Sequence, residues 1–265
     1  MNNKGILESI DLFVLDMDGT FYIGDRILPG SLQFLARARE SGRRVLFFTN
    51  NSSTTPSRYI EKLRRMGAPV SRADIVTSGD VCIDYLKENY PAAAVYLMGT
   101  EALRADFASA GIRLVADSGE TPDVVVCAFD TELTYKKLER ACSYIRGGAV
   151  FLATHEDINC PTEDGFVPDC GSLCAAITLS TGRSPKYLGK PHAETAGKIL
   201  SLTGAKRERT AFVGDRLYTD VAAGVDNGMA GILVLSGETR EEDLAGSPVK
   251  PDAVFSGLGE IAGLL

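Results

Sequence analysis

The sequence predicts an α/β fold in which a parallel sheet is flanked by helices, and two observations support this class. Strand-like apolar segments alternate with helix-like segments along nearly the whole chain. The strand-like segments are almost continuously apolar, which is typical of parallel strands that are covered on both faces. A chain of 265 residues is also long enough to form one large domain or two modest ones, each with its own core.

The strands are predicted from short apolar runs that end in polar residues. LFVLD at 12–16 gives the first strand, and RVLFFT at 44–49 gives the second. Similar runs predict further strands near 94–98, 124–128, 149–153, 210–214 and 231–235.

The helices between these strands carry recognisable start and stop signals. The segment 31–41 follows Pro29 and is closed by Gly42, which favours a helix. The segment 56–66 begins with proline at its first helical position and is followed by Gly67, a residue typical of helix C-termini.

Composition and charge exclude several classes of function. The net charge is -7 and the pI is near 5.0, whereas nucleic acids and anionic membranes attract clustered Lys and Arg. No apolar run approaches the roughly 18 residues that a membrane-spanning helix requires. The first residues lack the apolar stretch of a signal peptide, so we expect a cytoplasmic protein without nucleic-acid or membrane partners.

The six cysteines include no C-x-x-C pair and are interpreted as reduced thiols, several of them in the core. His155, Cys160, Cys170 and Cys174 cluster in the sequence, but their spacing does not match a zinc motif.

Polar residues with complementary chemistry stand where the predicted strands end. Asp16 ends the first strand and Asp18 follows two positions later, while Thr49 ends the second strand. Asp215 follows a later strand, and Lys190 precedes a helix that begins near residue 192. In open parallel sheets, sites form at the carboxyl ends of strands, so we expect these side chains to share one site.

This set of side chains suits phosphoryl transfer. The carboxylates are natural ligands for Mg²⁺, while the hydroxyl of Thr49 and the ammonium of Lys190 can hold phosphoryl oxygens. Asp16 can attack phosphorus and form an aspartyl phosphate. Asp18 can protonate the leaving oxygen and later accept a proton from water, and Gly19 lets the chain turn sharply.

The tracts LDMDGT, TNNS, GKP and VGDRLYTD, in that order, resemble the four motifs of the haloacid dehalogenase-like (HAD) hydrolase superfamily. FTNNSS, the large segment between the second and third motifs, and the tract around the fourth motif resemble subclass IIA, the p-nitrophenyl phosphatase/NagD-like family. The resemblance covers nearly the whole chain, and it implies a Rossmann-like HAD core with an inserted α/β type-2 cap domain.

The resemblance implies roles for four acids in catalysis and metal binding. Asp16 is the expected nucleophile and Asp18 the expected general acid/base. Magnesium is expected to bind the Asp16 carboxylate, the Asp18 main-chain carbonyl and the Asp215 carboxylate, with Asp220 supporting the metal's waters.

The resemblance also implies a phosphate site and a domain division. Thr49, the Asn50 main chain and Lys190 are expected to hold phosphate. Residues 1–78 and 187–265 are expected to form the discontinuous core and 79–186 the cap, which in relatives can mediate a homodimer.

Two departures from the family pattern bear on substrate choice. Many relatives carry Asn in a T-N-x-D tract, where this chain has Thr154, His155, Glu156 and Asp157. Tyr218 stands where relatives often carry Arg or Asp.

The segment 155–170 resembles the substrate-specificity loop of type-2 caps. Its Pro and Gly residues predict a shaped loop, neither strand nor helix. It contains no Lys or Arg, and its acids are Glu156, Asp157, Glu163, Asp164 and Asp169. We therefore expect a preference for neutral, hydroxyl-rich leaving groups over acidic ones, with His155, Asn159 and Cys160 affecting specificity.

The predicted function is a magnesium-dependent phosphatase that hydrolyses small phosphomonoesters through an aspartyl phosphate, with p-nitrophenyl phosphate as an artificial substrate. Sugar phosphates and nucleotides are both open as natural substrates. The alternatives are a phosphotransferase or phosphomutase of the same superfamily, a phospho-accepting signalling domain, and a non-catalytic sugar-phosphate binding protein. The general acid and the large cap have no role in a signalling domain, and binding alone does not need a nucleophile.

Overall fold

The computed structural model describes residues 3–116, 119–162 and 165–265. The strands, numbered in chain order, are β1 (Leu12–Leu15), β2 (Tyr22–Ile23), β3 (Arg26–Ile27), β4 (Arg44–Thr49), β5 (Ile75–Thr77), β6 (Val95–Met98), β7 (Val124–Cys127), β8 (Val150–Ala153), β9 (Asn159–Thr162), β10 (Gly165–Pro168), β11 (Lys186–Tyr187), β12 (Thr210–Gly214), β13 (Ala230–Val234) and β14 (Ala253–Phe255). The α-helices are α1 (Asn3–Glu8), α2 (Ser31–Glu40), α3 (Pro56–Arg65), α4 (Ser78–Asn89), α5 (Glu101–Ser109), α6 (Tyr135–Arg146), α7 (Cys170–Thr181), α8 (Ala193–Thr203), α9 (Ala222–Val225), α10 (Asp243–Gly246) and α11 (Leu258–Ala262). Short 3₁₀ segments lie at Arg72–Asp74 and Arg207–Arg209, and a π-helical segment lies at Leu217–Val221.

The chain folds into two compact units. The first contains Met1–Thr49, Pro56–Val76 and Lys190–Leu265, and the second contains Asn50–Thr55 and Thr77–Gly189.

The first unit is built on a six-stranded sheet with the order β14-β13-β12-β1-β4-β5. Strand β1 is parallel to both of its neighbours, and Leu15 lies opposite Val213 of β12 and Phe47 of β4. All four residues of β1 are buried, as the apolar run predicts. Because the three strands run in the same direction and in this register, the residues that follow them emerge at one edge of the sheet.

The core of the first unit contains aromatic pairs between the sheet and its surroundings. The rings of Phe13 and Phe34 meet edge to face with centroids 5.3 Å apart. Phe21 and Phe47 pack in the same way at 5.0 Å. Such pairs add to the stabilisation that comes from burying the rings.

The second unit is built on a four-stranded parallel sheet with the order β11-β8-β7-β6. Helices α6 and α7 contribute Ile145 and Ile177 to its core. Cys127, Cys170 and Cys174 are buried in the same core as free thiols, in agreement with the sequence prediction. The prediction of a parallel α/β fold flanked by helices is confirmed, and each predicted strand is present with bounds within one residue.

The prediction of a loop without strands at 155–170 is wrong. Strands β9 and β10 form an antiparallel hairpin in which Asn159 pairs with Pro168 and Thr162 with Gly165. A two-stranded ribbon has two open edges, so a proline can lie in it without removing a ladder bond from a larger sheet. Glu163 and Asp164, two of the acids predicted to affect specificity, lie outside the described residues.

Across the described ranges, every helix is too short or too polar to cross a bilayer.

Candidate active site

The site in the first unit begins with the turn that follows β1. Asp16 is half-buried, and its N–H donates to the carbonyl of Val213 at 2.9 Å, which continues the ladder one residue beyond the strand. Gly19 adopts φ +82°, and its N–H donates to the carbonyl of Tyr22 at 2.8 Å. Glycine populates this left-handed conformation without the steric cost that a Cβ brings, so the chain reverses immediately after the two acids.

Asp215 follows β12 and is held from several sides. Its Oδ1 accepts from the Thr20 hydroxyl at 3.3 Å, and its Oδ2 accepts from the main-chain N–H of Glu238 at 2.7 Å. A Cβ on Gly19 would stand 2.4 Å from Oδ2, and a Cβ on Gly237 would stand 2.0 Å from the same atom. The carboxylate therefore occupies space that only glycines leave open.

Lys190 joins two of the predicted acids. Its Nζ lies 2.6 Å from Oδ1 of Asp16 and 2.5 Å from Oδ1 of Asp220, and the lysine is only 2% exposed. Oδ2 of Asp220 accepts from the N–H of Arg216 at 3.1 Å. Both oxygens of Asp220 thus meet donors of the protein, and this acid fixes the position of Lys190.

Burial and crowding of charge determine the electrostatics of this group. Burial raises the pKa of the Asp16 carboxyl, and the charge of Lys190 opposes this effect. Burial and the charge of Asp220 raise the pKa of Asp215 to about 6. Burial lowers the pKa of Lys190, but the charges of Asp16 and Asp220 outweigh it, so the pKa is raised and the lysine remains charged.

Asp18 and Thr49 also lie in the first unit. Asp18 is exposed, and its main chain forms an isolated β-bridge with Tyr22. Partial loss of hydration raises the pKa of its carboxyl, while the charge of Lys62 lowers it. Thr49 is buried as the last residue of β4.

The carboxylates of this group suit a hard divalent cation. One carboxylate oxygen from each of Asp16, Asp215 and Asp220 lies within 4.8 Å of the others. Together with one lysine, three carboxylates leave two uncompensated negative charges, which a divalent cation neutralises. Oxygen ligands of this type are those that Mg²⁺ prefers.

The other predicted residues lie in the second unit. The Asn50 side chain donates to Oδ1 of Asp157 at 2.9 Å. His155 is fully buried, and its Nε2 lies 2.8 Å from Oδ1 of Asp169. Asn159 is exposed and Cys160 half-exposed on β9 of the hairpin.

Several partners of the site residues are not apparent from the sequence. Thr20 and the main chain of Glu238 hold Asp215, although the sequence analysis assigns neither of them a role. Tyr218, whose role the sequence leaves open, donates to the Glu238 carboxylate at 2.9 Å. The sequence signal for these residues is their position: Thr20 is the last residue of the first motif, and Tyr218 lies within the fourth.

Comparisons with known proteins identify the family that this chain resembles. The family model described as haloacid dehalogenase-like hydrolase matches residues 13–113, and a second HAD-like hydrolase model matches residues 187–261. The acid sugar phosphatase of Staphylococcus aureus strain MRSA252 is 36% identical over 248 residues, covering 94% of this chain and 95% of that protein.

Solved structures extend the likeness. The 4-nitrophenylphosphatase from Thermotoga maritima has a TM-score of 0.93 and 46% identity, covering 97% of this chain and 98% of that one. NagD from E. coli K-12 has a TM-score of 0.86 and 30% identity, covering 95% and 98%.

The chain belongs to the haloacid dehalogenase-like hydrolases. Within them its relatives match subclass IIA, the p-nitrophenyl phosphatase/NagD-like family, as the motifs predict. Its enzymatic class is that of a phosphatase.

Proposed function

We propose that this enzyme is a magnesium-dependent phosphatase that hydrolyses small phosphomonoesters through an aspartyl phosphate on Asp16. The observation that carries the proposal is the pairing of Asp16 with Lys190 at 2.6 Å, next to the carboxylates of Asp215 and Asp220. A nucleophile beside a fixed positive charge suits attack on a phosphoryl group, because the charge offsets the repulsion between two anions.

In the first step, an oxygen of Asp16 forms a bond to phosphorus as the bond from phosphorus to the leaving oxygen breaks. Asp18 gives its proton to that oxygen, so the alcohol departs neutral. Its raised pKa favours the protonated form that this role requires. Lys190, Thr49 and the Asn50 main chain hold the phosphoryl oxygens.

In the second step, Asp18 accepts a proton from water, whose oxygen bonds to phosphorus. The bond between phosphorus and Asp16 breaks, which releases inorganic phosphate and restores the carboxylate. Asp16, Asp215 and the Asp18 carbonyl would hold magnesium, with Asp220 fixing Lys190 and supporting the metal's waters. When bound, the ion supplies positive charge that reduces the repulsion between the carboxylates and phosphate.

We further propose that sugar phosphates are the natural substrates. A 36% identical relative is named acid sugar phosphatase, and segment 155–170 has no Lys or Arg for a second anionic group. Two acids of this segment, Asp157 and Asp169, are buried in hydrogen bonds. The proposed preference for neutral leaving groups therefore rests mainly on the lack of a positive charge in segment 155–170 that could bind an acidic leaving group. Repulsion by the acids of this segment contributes less.

The domain division belongs to the same proposal: residues 1–78 and 187–265 form the catalytic core and 79–186 the cap. Cap residues Asn159 and Cys160 then affect the leaving group, while a homodimer and a cytoplasmic location stay predictions.

The test is release of inorganic phosphate from p-nitrophenyl phosphate with and without MgCl₂. Turnover is expected only with the metal, and Asp16→Asn is expected to abolish it while the circular dichroism spectrum stays unchanged. Near-wild-type activity of freshly prepared Asp16→Asn, checked by mass spectrometry for deamidation, would exclude Asp16 as nucleophile. A hexose monophosphate is then compared with its bisphosphate and with phosphoglycolate; a clear preference for phosphoglycolate contradicts the substrate proposal.

A further inference from the structure

A buried polar cluster surrounds His155 in the second unit. His155 is 0% exposed and Asp169 is 3% exposed, and the two side chains meet at 2.8 Å. Asp169 also caps α7, because its Oδ1 accepts from the N–H of Cys170 at 2.5 Å. The Nε2 edge of the imidazole is therefore held at the start of helix α7 by Asp169.

The opposite edge of the imidazole faces the tract that follows β4. Nδ1 lies 3.0 Å from the hydroxyl of Thr154 and 3.5 Å from that of Ser78. Ser78 donates to the main-chain carbonyl of Asn50 at 2.5 Å, and the Thr154 hydroxyl lies 3.0 Å from that of Ser52. Two short hydrogen-bonded chains thus join His155 to the main chain and side chains of residues 50–52.

Asp157 adds a second link to the same tract. Its Oδ1 accepts from the Asn50 side chain at 2.9 Å, and its main-chain carbonyl accepts from the N–H of Gly171 in α7 at 2.8 Å. A Cβ on Gly171 would stand 2.2 Å from the carbonyl oxygen of Glu156, so the tract from 155 to 157 lies directly against this helix.

Gly189 packs against the same cluster. A Cβ at this position would stand 2.6 Å from Oδ1 of Asn50 and 2.8 Å from Cβ of His155. Asn50 is peptide-bonded to Thr49, and Gly189 is peptide-bonded to Lys190. The cluster therefore holds Asn50 and Gly189, the immediate chain neighbours of Thr49 and Lys190.

We propose that His155 is a positioning residue for phosphate binding: it fixes Asn50 and Gly189, and through them the main chain next to Thr49 and Lys190. This inference rests on the proposed function, since it assigns an effect on phosphate affinity. His155 itself does not touch phosphate. The Asp169 carboxylate favours the charged imidazole, in which both ring nitrogens donate, so each edge can hold its partner at once.

The test exploits the two edges of the ring. The amide of asparagine overlays Nδ1 and that of glutamine overlays Nε2. His155→Asn keeps a polar group toward Thr154 and Ser78, His155→Gln keeps one toward Asp169, and His155→Leu keeps neither. Ile145→Val, a methyl deletion in the core of the same unit, is the control for general destabilisation.

The measurements are KM and kcat for p-nitrophenyl phosphate with MgCl₂ and Ki for inorganic phosphate, each corrected for the folded fraction. We expect Ki and KM to rise about tenfold or more in His155→Gln and His155→Leu, the scale of one lost charge-assisted hydrogen bond. His155→Asn should stay within about threefold of wild type, and Ile145→Val should leave Ki unchanged.

Two results overturn the inference. The first is a Ki for inorganic phosphate in His155→Gln equal to that of wild type. The second is an equal effect of the Asn and Gln variants on Ki. The second comparison tests the inference even if His155→Leu does not fold. Wild-type protein without magnesium-dependent turnover would refute the proposed function, and this inference with it. An active wild type with unaffected variants would refute only this inference.

Discussion

Lys190 supplies the positive charge that pairs with two carboxylates of the site, those of Asp16 and Asp220. It is 2% exposed and its ammonium contacts two carboxylates, so its removal deprives both acids of this counter-ion. An unpaired buried charge is costly, whereas the intact pair contributes little net stability. The residue is therefore needed by the fold and by the proposed chemistry for the same reason.

We predict that Lys190→Met lowers kcat/KM about 10²–10³-fold, the usual effect of losing one group that stabilises a transition-state charge. The melting temperature should fall as well, because Asp16 and Asp220 lose their counter-ion. The control is Lys136→Met, which removes an exposed lysine of α6. Both quantities are measured by steady-state kinetics and thermal unfolding; unchanged kcat/KM in Lys190→Met contradicts the assignment.

For Asp18 the prediction concerns the leaving group. Asp18→Asn should slow the hydrolysis of an alkyl phosphate about 10²–10⁴-fold, the range typical of general acid catalysis, and slow p-nitrophenyl phosphate much less. Nitrophenolate departs readily without a proton, whereas an alkoxide does not. Steady-state rates on the two esters give the comparison, and equal losses on both argue against an acid role.

At the level of elements, the turn after β1 is shaped by one glycine. Gly19 combines φ +82° with a position where a Cβ would meet the Asp215 carboxylate at 2.4 Å. Gly42, after α2, has φ +75° and nothing within 4 Å of the same atom. Alanine at Gly42 therefore introduces only the strain of a positive φ, whereas alanine at Gly19 introduces the same strain and also displaces the Asp215 carboxylate.

We predict that Gly42→Ala costs about 1 kcal/mol of stability through the positive φ alone and leaves activity unchanged. Gly19→Ala should cost more and should also raise the magnesium concentration needed for half-maximal activity, because its methyl displaces Asp215. Denaturant unfolding and magnesium titrations of both variants provide the measurement. Equal magnesium dependence in both variants is the contrary outcome.

The sequence predicted those elements that are defined by a local pattern. The run LFVL at 12–15 is apolar at every position, and it forms a fully buried strand. The sequence does not predict the hairpin β9–β10, because Pro161, Gly165 and Pro168 are disfavoured in strands. A two-stranded ribbon can form from residues whose intrinsic strand propensity is low.

The same distinction applies to the site. Asp16, Lys190 and Asp215 follow from motifs, each readable over a few residues. The contact of His155 with Asp169 spans 14 residues and depends on how β8 and α7 pack, which no local pattern encodes. The sequence predicts that its neighbours Asp157 and Asp169 are acids of a loop, whereas in the structure both are buried hydrogen-bond acceptors.

At the scale of the whole molecule, the buried histidine makes stability depend on pH. Burial lowers the pKa of His155. The electrostatic interaction with Cys170 and the hydrogen bond and charge of Asp169 outweigh burial and, with a smaller contribution from Asp157, raise the pKa from 6.5 to about 9. Because the pKa is raised in the folded state, the stabilisation is fully present below about pH 6.5 and is lost as the pH rises through about 9.

We predict that the stability difference between wild type and His155→Gln is largest near pH 6, on the order of 3 kcal/mol, and shrinks by pH 9.5. The measurement is thermal or denaturant unfolding of both proteins across this range. A difference independent of pH would show that folding does not raise the pKa of His155.

The strand order of the first unit has a consequence for protein synthesis. β1 lies between β4 and β12, yet Val213 leaves the ribosome about 200 residues after its partner Leu15. At about 5–20 residues per second, the nascent chain waits roughly 10–40 s before the second side of β1 can be paired. During that interval β1 can pair with β4 alone, and the apolar run LFVL presents an open edge. Translation products that stop before β12 therefore keep this edge of β1 unpaired permanently. A chaperone that shields the edge is needed only until β12 (Thr210–Gly214) has emerged and paired with it.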